Sequence, residues 1–180
     1  MSFSTVIVMA CFCTVFLFAS GLYVNYFIEG IDVAKSLLEN SEIAYDYVHT
    51  IINITDFYTE TGETCYFNVT NLGSTSIMVK DFPKIDVVLT YISNQTGSYV
   101  TVWLEYSDQS GIPNTWSLNA IYDDFIDPIA LTQRKGLWNP SEKIRIAATL
   151  PSENTLMLQK KVTVTFCTPN GASDQKNFNT

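Results

Sequence analysis

The chain has 180 residues, 47% of them hydrophobic and only 16% charged, with 10 basic against 18 acidic side chains and a formal net charge of -8. This balance excludes a disordered tail and a nucleic-acid binder, and the length suits one domain with an appended segment. The single histidine, His49, excludes a multi-histidine metal site and leaves any Ser/His/Asp or Cys/His machinery dependent on one residue, so an enzyme is disfavoured.

From Met1 to Ile28 there is no Asp, Glu, Lys or Arg. The run from Thr5 to Ile28 is about 24 residues long, and a helix rising about 1.5 Å per residue needs about 20 to cross the hydrocarbon. Residues 1–30 are therefore expected to form a membrane-spanning helix. A cleaved signal would carry a basic n-region, a shorter apolar core and small residues before the cut, none of which is clear here, so the span is expected to be retained as an anchor. Burial inside a soluble protein is the competing reading, and no second helix is in sight to cover it. The economical topology puts the short N-terminus inside and the remainder outside, although the charge asymmetry around the span says little.

Three sequons, at Asn53, Asn68 and Asn94, fit an exported, N-glycosylated surface. Cys11 and Cys13 lie within the span as small apolar residues. Cys65 and Cys167 lie in two strand-like runs near opposite ends of the exported part. Both a long-range disulfide and two buried thiols are open.

Residues 31–56 read as a helical stalk. Ile31, Ala34, Leu38, Ser41, Tyr45, Val48 and Ile52 alternate at spacings of three and four, which makes a coiled-coil seam or a stripe packed on the chain's own domain. His49 lies off that seam as a solvated residue. From 57 to 180 the texture is β: short runs rich in Val, Ile, Thr, Tyr and Phe, separated by Gly, Pro, Asn, Asp or Ser. These runs are GETCYFNVTN, STSIMVKD, IDVVLTYIS, SYVTVWLEYS, NTWSLNAI, EKIRIAATL and KKVTVTFCTPN. The expected fold class is mainly β, an N-terminal transmembrane α-helix with its stalk followed by an immunoglobulin-like antiparallel β-sandwich, with a barrel as the nearest competitor. Trp103, Trp116 and Trp138 are the expected core fillers. Cys65, Trp103 and Cys167 superficially repeat the antibody-type Cys, Trp, Cys order, at separations too long to count.

Chemical constellations are few. Asp123, Asp124 and Asp127 in YDDFIDP offer oxygens for calcium, but an ordinary acidic loop is favoured because the glycine and bidentate acid of a helix-loop-helix site are missing. Glu105 and Asp108 could join that cluster as acid and base only if two carboxylates stood about 5 to 9 Å apart in a cleft. No catalytic, cofactor or metal set emerges. Tyr91, Tyr99 and Tyr106 are candidates for a protein-binding face.

Several segments in their shared order carry a resemblance: FNVTNLGSTSI (Phe67 to Ile77), FPKIDVVLTY (Phe82 to Tyr91), Trp103-Leu104, Trp116, Asp124 to Pro128, WNPSEKIRI (Trp138 to Ile146), TPNG (Thr168 to Gly171) and the opening Met1 to Ser4. The chain resembles the archaeal flagellum (archaellum) accessory proteins FlaG and FlaF, which are related to archaellins and type IV pilin-like proteins. Ser141 stands where that family has Gly, and the stretch IALTQRKGLWNP is longer than the family's loop. The resemblance implies a single-pass protein of the cytoplasmic membrane with its sandwich outside, beneath the surface layer. It implies a stator that binds the surface-layer protein or a sister accessory protein and forms homo- or hetero-oligomers, without cofactor. A pilin- or archaellin-like filament subunit, assembling through the N-terminal helix, is the alternative; the lack of a basic prepeptide sets the anchored protein ahead of it.

Overall fold

The computed structural model describes residues 3–122, 128–133 and 135–180, leaving aside the side chains of residues 5, 6 and 132. The chain divides into two compact units, 1–44 and 45–180. The first is helical: α1 runs from Phe3 to His49, and its last turn belongs to the second unit. Across the uncharged stretch the described side chains are all exposed, Phe12 and Leu17 at 70% and Phe18 at 73%. A helix that is apolar all round and exposed matches a lipid-facing or bundle-core helix.

The helical reading is corrected at its end. α1 stops at His49 instead of continuing to residue 56, so Ile31, Ala34, Leu38, Tyr45 and Val48 lie on it, exposed, while Ile52 is a buried strand residue. The stop is made by the Asn71-to-Ser74 turn. Ser74 N–H donates to the His49 carbonyl at 2.9 Å, and Leu72 and Gly73 N–H donate to the Ile51 carbonyl at 2.7 and 3.0 Å. Carbonyls at a helix end need such partners, and the β-branched Ile-Asn-Ile-Thr run beyond prefers strand.

The second unit holds strands β1 (Ile52–Thr59), β2 (Thr64–Asn71), β3 (Ile77–Met78), β4 (Asp86–Ile92), β5 (Tyr99–Tyr106), β6 (Thr115–Tyr122), β7 (Leu137–Trp138), β8 (Lys143–Thr149), β9 (Lys161–Cys167) and β10 (Ser173–Asn179). β3 and β7 pair with each other; the other eight follow the order β1-β2-β8-β6-β5-β4-β9-β10. All neighbours are antiparallel except β5 and β6, which run parallel where Glu105 meets Thr115 and Tyr106 meets Trp116. Lettered in chain order, the eight form A-B-E-D and C′-C-F-G layers, the arrangement of an immunoglobulin-like sandwich.

Alternation builds the core between the layers. On β4 Val87, Leu89 and Tyr91 point inward; on β9 Val162, Val164 and Phe166 do so. Phe82, Tyr106, Trp116, Phe166 and Trp138 close a ring of edge-on aromatic contacts with centroids 4.8 to 6.5 Å apart. Each such pair adds to simple area burial. Trp116 and Trp138 thus fill the core as expected. Trp103 does not: it lies 51% exposed on the outer face of β5, its indole N–H donating to Asp86 Oδ1 at 2.9 Å. Its place in the alternation, between inward-facing Val102 and Leu104, turns it outward.

Candidate functional site

Three of the segments quoted for the resemblance, FNVTNLGSTSI, WNPSEKIRI and TPNG, converge on the place where α1 becomes β1. Asn71 is fully buried there. Its amide donates to the carbonyls of Thr75 at 2.8 Å and Trp138 at 3.3 Å, its Oδ1 accepts from Gly73 N–H, and its own carbonyl accepts from Ser141 N–H at 2.7 Å. Gly73 is obligatory by sterics, since a Cβ would stand 2.3 Å from the His49 carbonyl oxygen and 2.6 Å from the Ile51 nitrogen. From the WNPSEK turn, the buried Glu142 carboxylate accepts from Asn139 N–H at 2.6 Å, and Trp138 Nε1–H donates to the Glu142 carbonyl at 3.0 Å. Ser141 adopts φ 71°, the left-handed conformation for which glycine is suited, so the turn keeps its shape without the glycine. From TPNG, Asn170 Nδ2 donates to Thr50 Oγ1 at 2.6 Å, and Thr50 Oγ1 donates to the Asp46 carbonyl at 2.7 Å. His49 is half-buried, stacked on Tyr45 at 3.9 Å with Nδ1–H donating to the Tyr45 carbonyl. This network fixes backbone and has no exposed nucleophile or open carboxylate pair. Its chemistry is mechanical.

Two outer faces remain. On the β1-β2-β8-β6 layer, Tyr66 stacks on Tyr58 at 4.9 Å, and the Arg145 guanidinium lies 5.8 Å from the Tyr58 centroid and 5.2 Å from that of Tyr122. Asn68 Oδ1 accepts from Arg145 Nε–H, while its amide donates to Asp56 Oδ2 at 2.9 Å. That hydrogen bond, with a second from the Thr55 hydroxyl, holds the Asp56 carboxyl below its ordinary pKa. On the β5-β4-β9-β10 layer the outer face carries Tyr99, Trp103 and paired threonines, Thr90 and Thr101 at 2.9 Å.

Several expected site residues are relocated by the fold. Tyr91 is no surface residue: it is fully buried at the inner face of β4, its hydroxyl donating to the Asn154 carbonyl of the β8–β9 loop, with its pKa pushed up to about 12 chiefly by burial. Tyr106 belongs to the aromatic ring, partly buried, and Tyr99 alone of the three stands exposed, at 70%. The Asn68 sequon is buried and its side chain engaged at both ends, so a glycan there would have to displace Arg145 and Asp56. Asn94 is exposed in the β4–β5 turn, and Asn53 is half-buried on β1.

Of the two alternatives left open for Cys65 and Cys167, the structure has no bridge between them. Cys65 and Cys167 are free thiols. They occupy the B and F strands that immunoglobulin domains bridge, but Cys65 points inward whereas Phe166, not Cys167, is the inward residue of β9. Burial pushes the Cys65 thiol up to about 12.

Asp123, Asp124 and Asp127 lie outside the described residues. Among the described residues no cluster of three His, Cys, Asp or Glu side chains is set to hold a metal ion. The residues that the sequence reading missed are Asn71, Gly73, Asn170 and Thr50 as one network; four Asn, Gly and Thr residues scattered over about 120 positions give no periodic signal, and only the quoted motifs point at them.

No family model and no curated protein matches the chain. Solved structures do. The archaeal flagellum of Methanospirillum hungatei strain JF1 superposes with a TM-score of 0.54 at 14% identity, covering 98% of this chain and 91% of that one. The archaellum periplasmic stator protein FlaG from Sulfolobus acidocaldarius gives 0.46 at 17% identity over 72% of this chain and 99% of that one. The FlaF and FlaG stator complex from the same organism gives 0.46 at 19% identity over 71% and 87%. In fold, then, this chain resembles the archaeal flagellum of M. hungatei over nearly its whole length: a long N-terminal helix followed by a β-sandwich.

Proposed function

We propose that this protein is an archaellum-associated accessory component, held in the cytoplasmic membrane by α1, whose exported sandwich binds the surface layer or a sister accessory protein so that a rotary motor does not turn in place. The observation that carries the reading is the exposed, uncharged stretch from Phe3 to Ile28, about 26 residues and about 39 Å of helix, enough to cross about 30 Å of hydrocarbon. Glu29, Asp32, Lys35, Glu39 and Glu42 follow at once and suit a helix leaving the membrane into water. A stator needs a rigid module beyond that exit, and buried Asn71 and Glu142 with half-buried Gly73 and Asn170 stiffen the turn from the last residues of α1 into β1. Load shared among many copies lets modest affinity per copy suffice.

The second reading is a filament subunit assembling through α1. The likeness to the M. hungatei flagellum, which spans helix and sandwich together, favours it. In that case the seam of Ile31, Ala34, Leu38, Tyr45 and Val48 would pack on neighbouring helices. The test is affinity purification of the full chain from detergent-solubilised, cross-linked envelopes. Surface-layer protein or another single-span sandwich protein in the eluate supports the stator. Recovery of filament subunits alone, in stoichiometric amount, supports the second reading and overturns the first.

A further inference from the structure

The sandwich treats its strand edges unequally. β1 and β10, the two ends of the strand order, close on each other: Ile54 N–H donates to Asp174 Oδ2 at 2.9 Å, and Phe57 stacks on Phe178 at 5.5 Å. β1 is also irregular between Thr55 and Tyr58, with Asp56 at φ 55°, and β10 carries Asp174 and Lys176. Bulges, charges and covered ends are how natural sheets block unwanted pairing. β5 has none of them along its first six residues. It meets β6 only at Glu105 and Tyr106, so among the described residues no strand pairs with the far side of Tyr99–Leu104. That stretch, Tyr-Val-Thr-Val-Trp-Leu, is β-branched and aromatic, without charge or proline.

Its free hydrogen-bonding groups can be assigned. In the β4–β5 turn Ser93 N–H donates to the Ser98 carbonyl at 2.9 Å, which marks a bonded pair. Antiparallel pairs alternate between bonded and non-bonded. Stepping along the register, Val100, Val102 and Leu104 bond to β4, while Tyr99, Thr101, Trp103 and Glu105 turn their N–H and C=O groups to the open side. Glu105 follows this rule, its N–H donating away from β4 to the Asn114 carbonyl at 3.3 Å.

We infer that this edge pairs with the same edge of a second copy of the chain, antiparallel about a two-fold axis at Thr101. In that register Thr101 meets the second copy's Thr101, Tyr99 meets its Trp103, Trp103 its Tyr99, and Val100 its Val102. All the outward groups of Tyr99, Thr101 and Trp103 then find partners, and both aromatic pairs fall directly across the junction. A one-residue slip sets bonded positions against non-bonded ones; a two-residue slip toward the C-terminus sets Thr101 against Trp103 and Tyr99 against Glu105 and loses both aromatic pairs. The same patch on both copies gives a closed, isologous dimer, an eight-strand order doubled through its C′ strand. This inference stands independently of any archaellum role.

The test uses the full chain in detergent with Cys11→Ala and Cys13→Ala, so that span thiols cannot react. Facing α-carbons in a bonded pair lie about 5.5 Å apart, within disulfide reach. Thr101→Cys should therefore give a covalent dimer under copper-phenanthroline oxidation, while Lys176→Cys on β10 stays monomeric on the same non-reducing gel. Thr101→Lys, an exposed site, should keep the parent melting temperature and lose the dimer mass in light scattering. Equal cross-linking at 101 and 176, none at 101, undiminished dimer mass in Thr101→Lys, or capture of only a different envelope protein by Thr101→Cys would each overturn the inference.

Discussion

α1 and the sandwich spend the same residue types in opposite ways. Phe12, Phe16 and Phe18 on α1 are 65 to 73% exposed, whereas Phe67, Phe82 and Phe166 in the sandwich are fully buried. The sandwich writes its apolar residues on alternate positions and supplies its own solvent-free interior; α1 writes them on every face and must find that interior elsewhere, in lipid or among other helices. The stability of the second unit is therefore intrinsic, while that of the first depends on its surroundings.

Substitutions separate the two. The largest effect is expected for Trp138→Ala, which opens the aromatic ring and leaves the Glu142 carbonyl without its indole donor: about 3–5 kcal/mol by denaturant unfolding. Phe16→Ala, equally large in chemistry, should leave that unfolding curve where it is. Next comes Phe16→Arg, which puts a charge near the middle of the span at a cost of about 2.5–3.5 kcal/mol of membrane insertion. The carbonate-resistant fraction should fall, and Trp103→Arg on the sandwich should not lower it.

Within the sandwich, Gly73→Ala drives a methyl into the His49 carbonyl and should cost about 1–3 kcal/mol of thermal stability. Gly97→Ala, where nothing lies within 4 Å, should cost only the left-handed backbone penalty of about 1 kcal/mol. Ser141→Gly should gain about 1 kcal/mol by releasing strain at φ 71°. The smallest effect concerns pH. The Asp56 carboxyl is held below its ordinary value, first by the Asn68 amide, so its contribution is present above the unfolded pKa near 4 and is lost as pH falls through the folded value. Asp56→Asn should flatten the acid limb of the melting-temperature profile below about pH 4. A limb as steep as the parent's would show that the hydrogen bond contributes nothing to folding.

Legibility followed hydrophobic pattern. β4, β5 and β9 stand in the sequence almost to the residue, because each alternates in a half-buried sheet, and so does β8, which alternates only through Ile146. β10, Ser-Asp-Gln-Lys-Asn-Phe-Asn, was invisible, since as an end strand it buries little and its pattern is polar. β1 was hidden for another reason: Val48 and Ile52 are four apart and extend the helical stripe, and only the tertiary hydrogen bonds from residues 72–74 end it. The run STSIMVKD yields just two strand residues because the chain turns into a short 3₁₀ helix, Val79–Lys84, that contains Pro83. In the site, three of the quoted motifs were legible as segments, but their convergence on the end of α1 was not. Residues 50, 71 and 170 meet only through sheet topology, which no local pattern encodes. The choice left open between a Cys65–Cys167 bridge and free thiols turns on parity, a one-residue matter that composition does not reveal.

The central proposal is that α1 is an anchor in a bilayer, not a strut in a filament. The direct measurement is quantitative mass spectrometry of the full chain in sheared surface filaments and in carbonate-washed membranes from the same cells. The account predicts recovery in the membranes and only traces in the filaments. Bulk recovery in the filaments, in amounts matching their structural subunits, would contradict it.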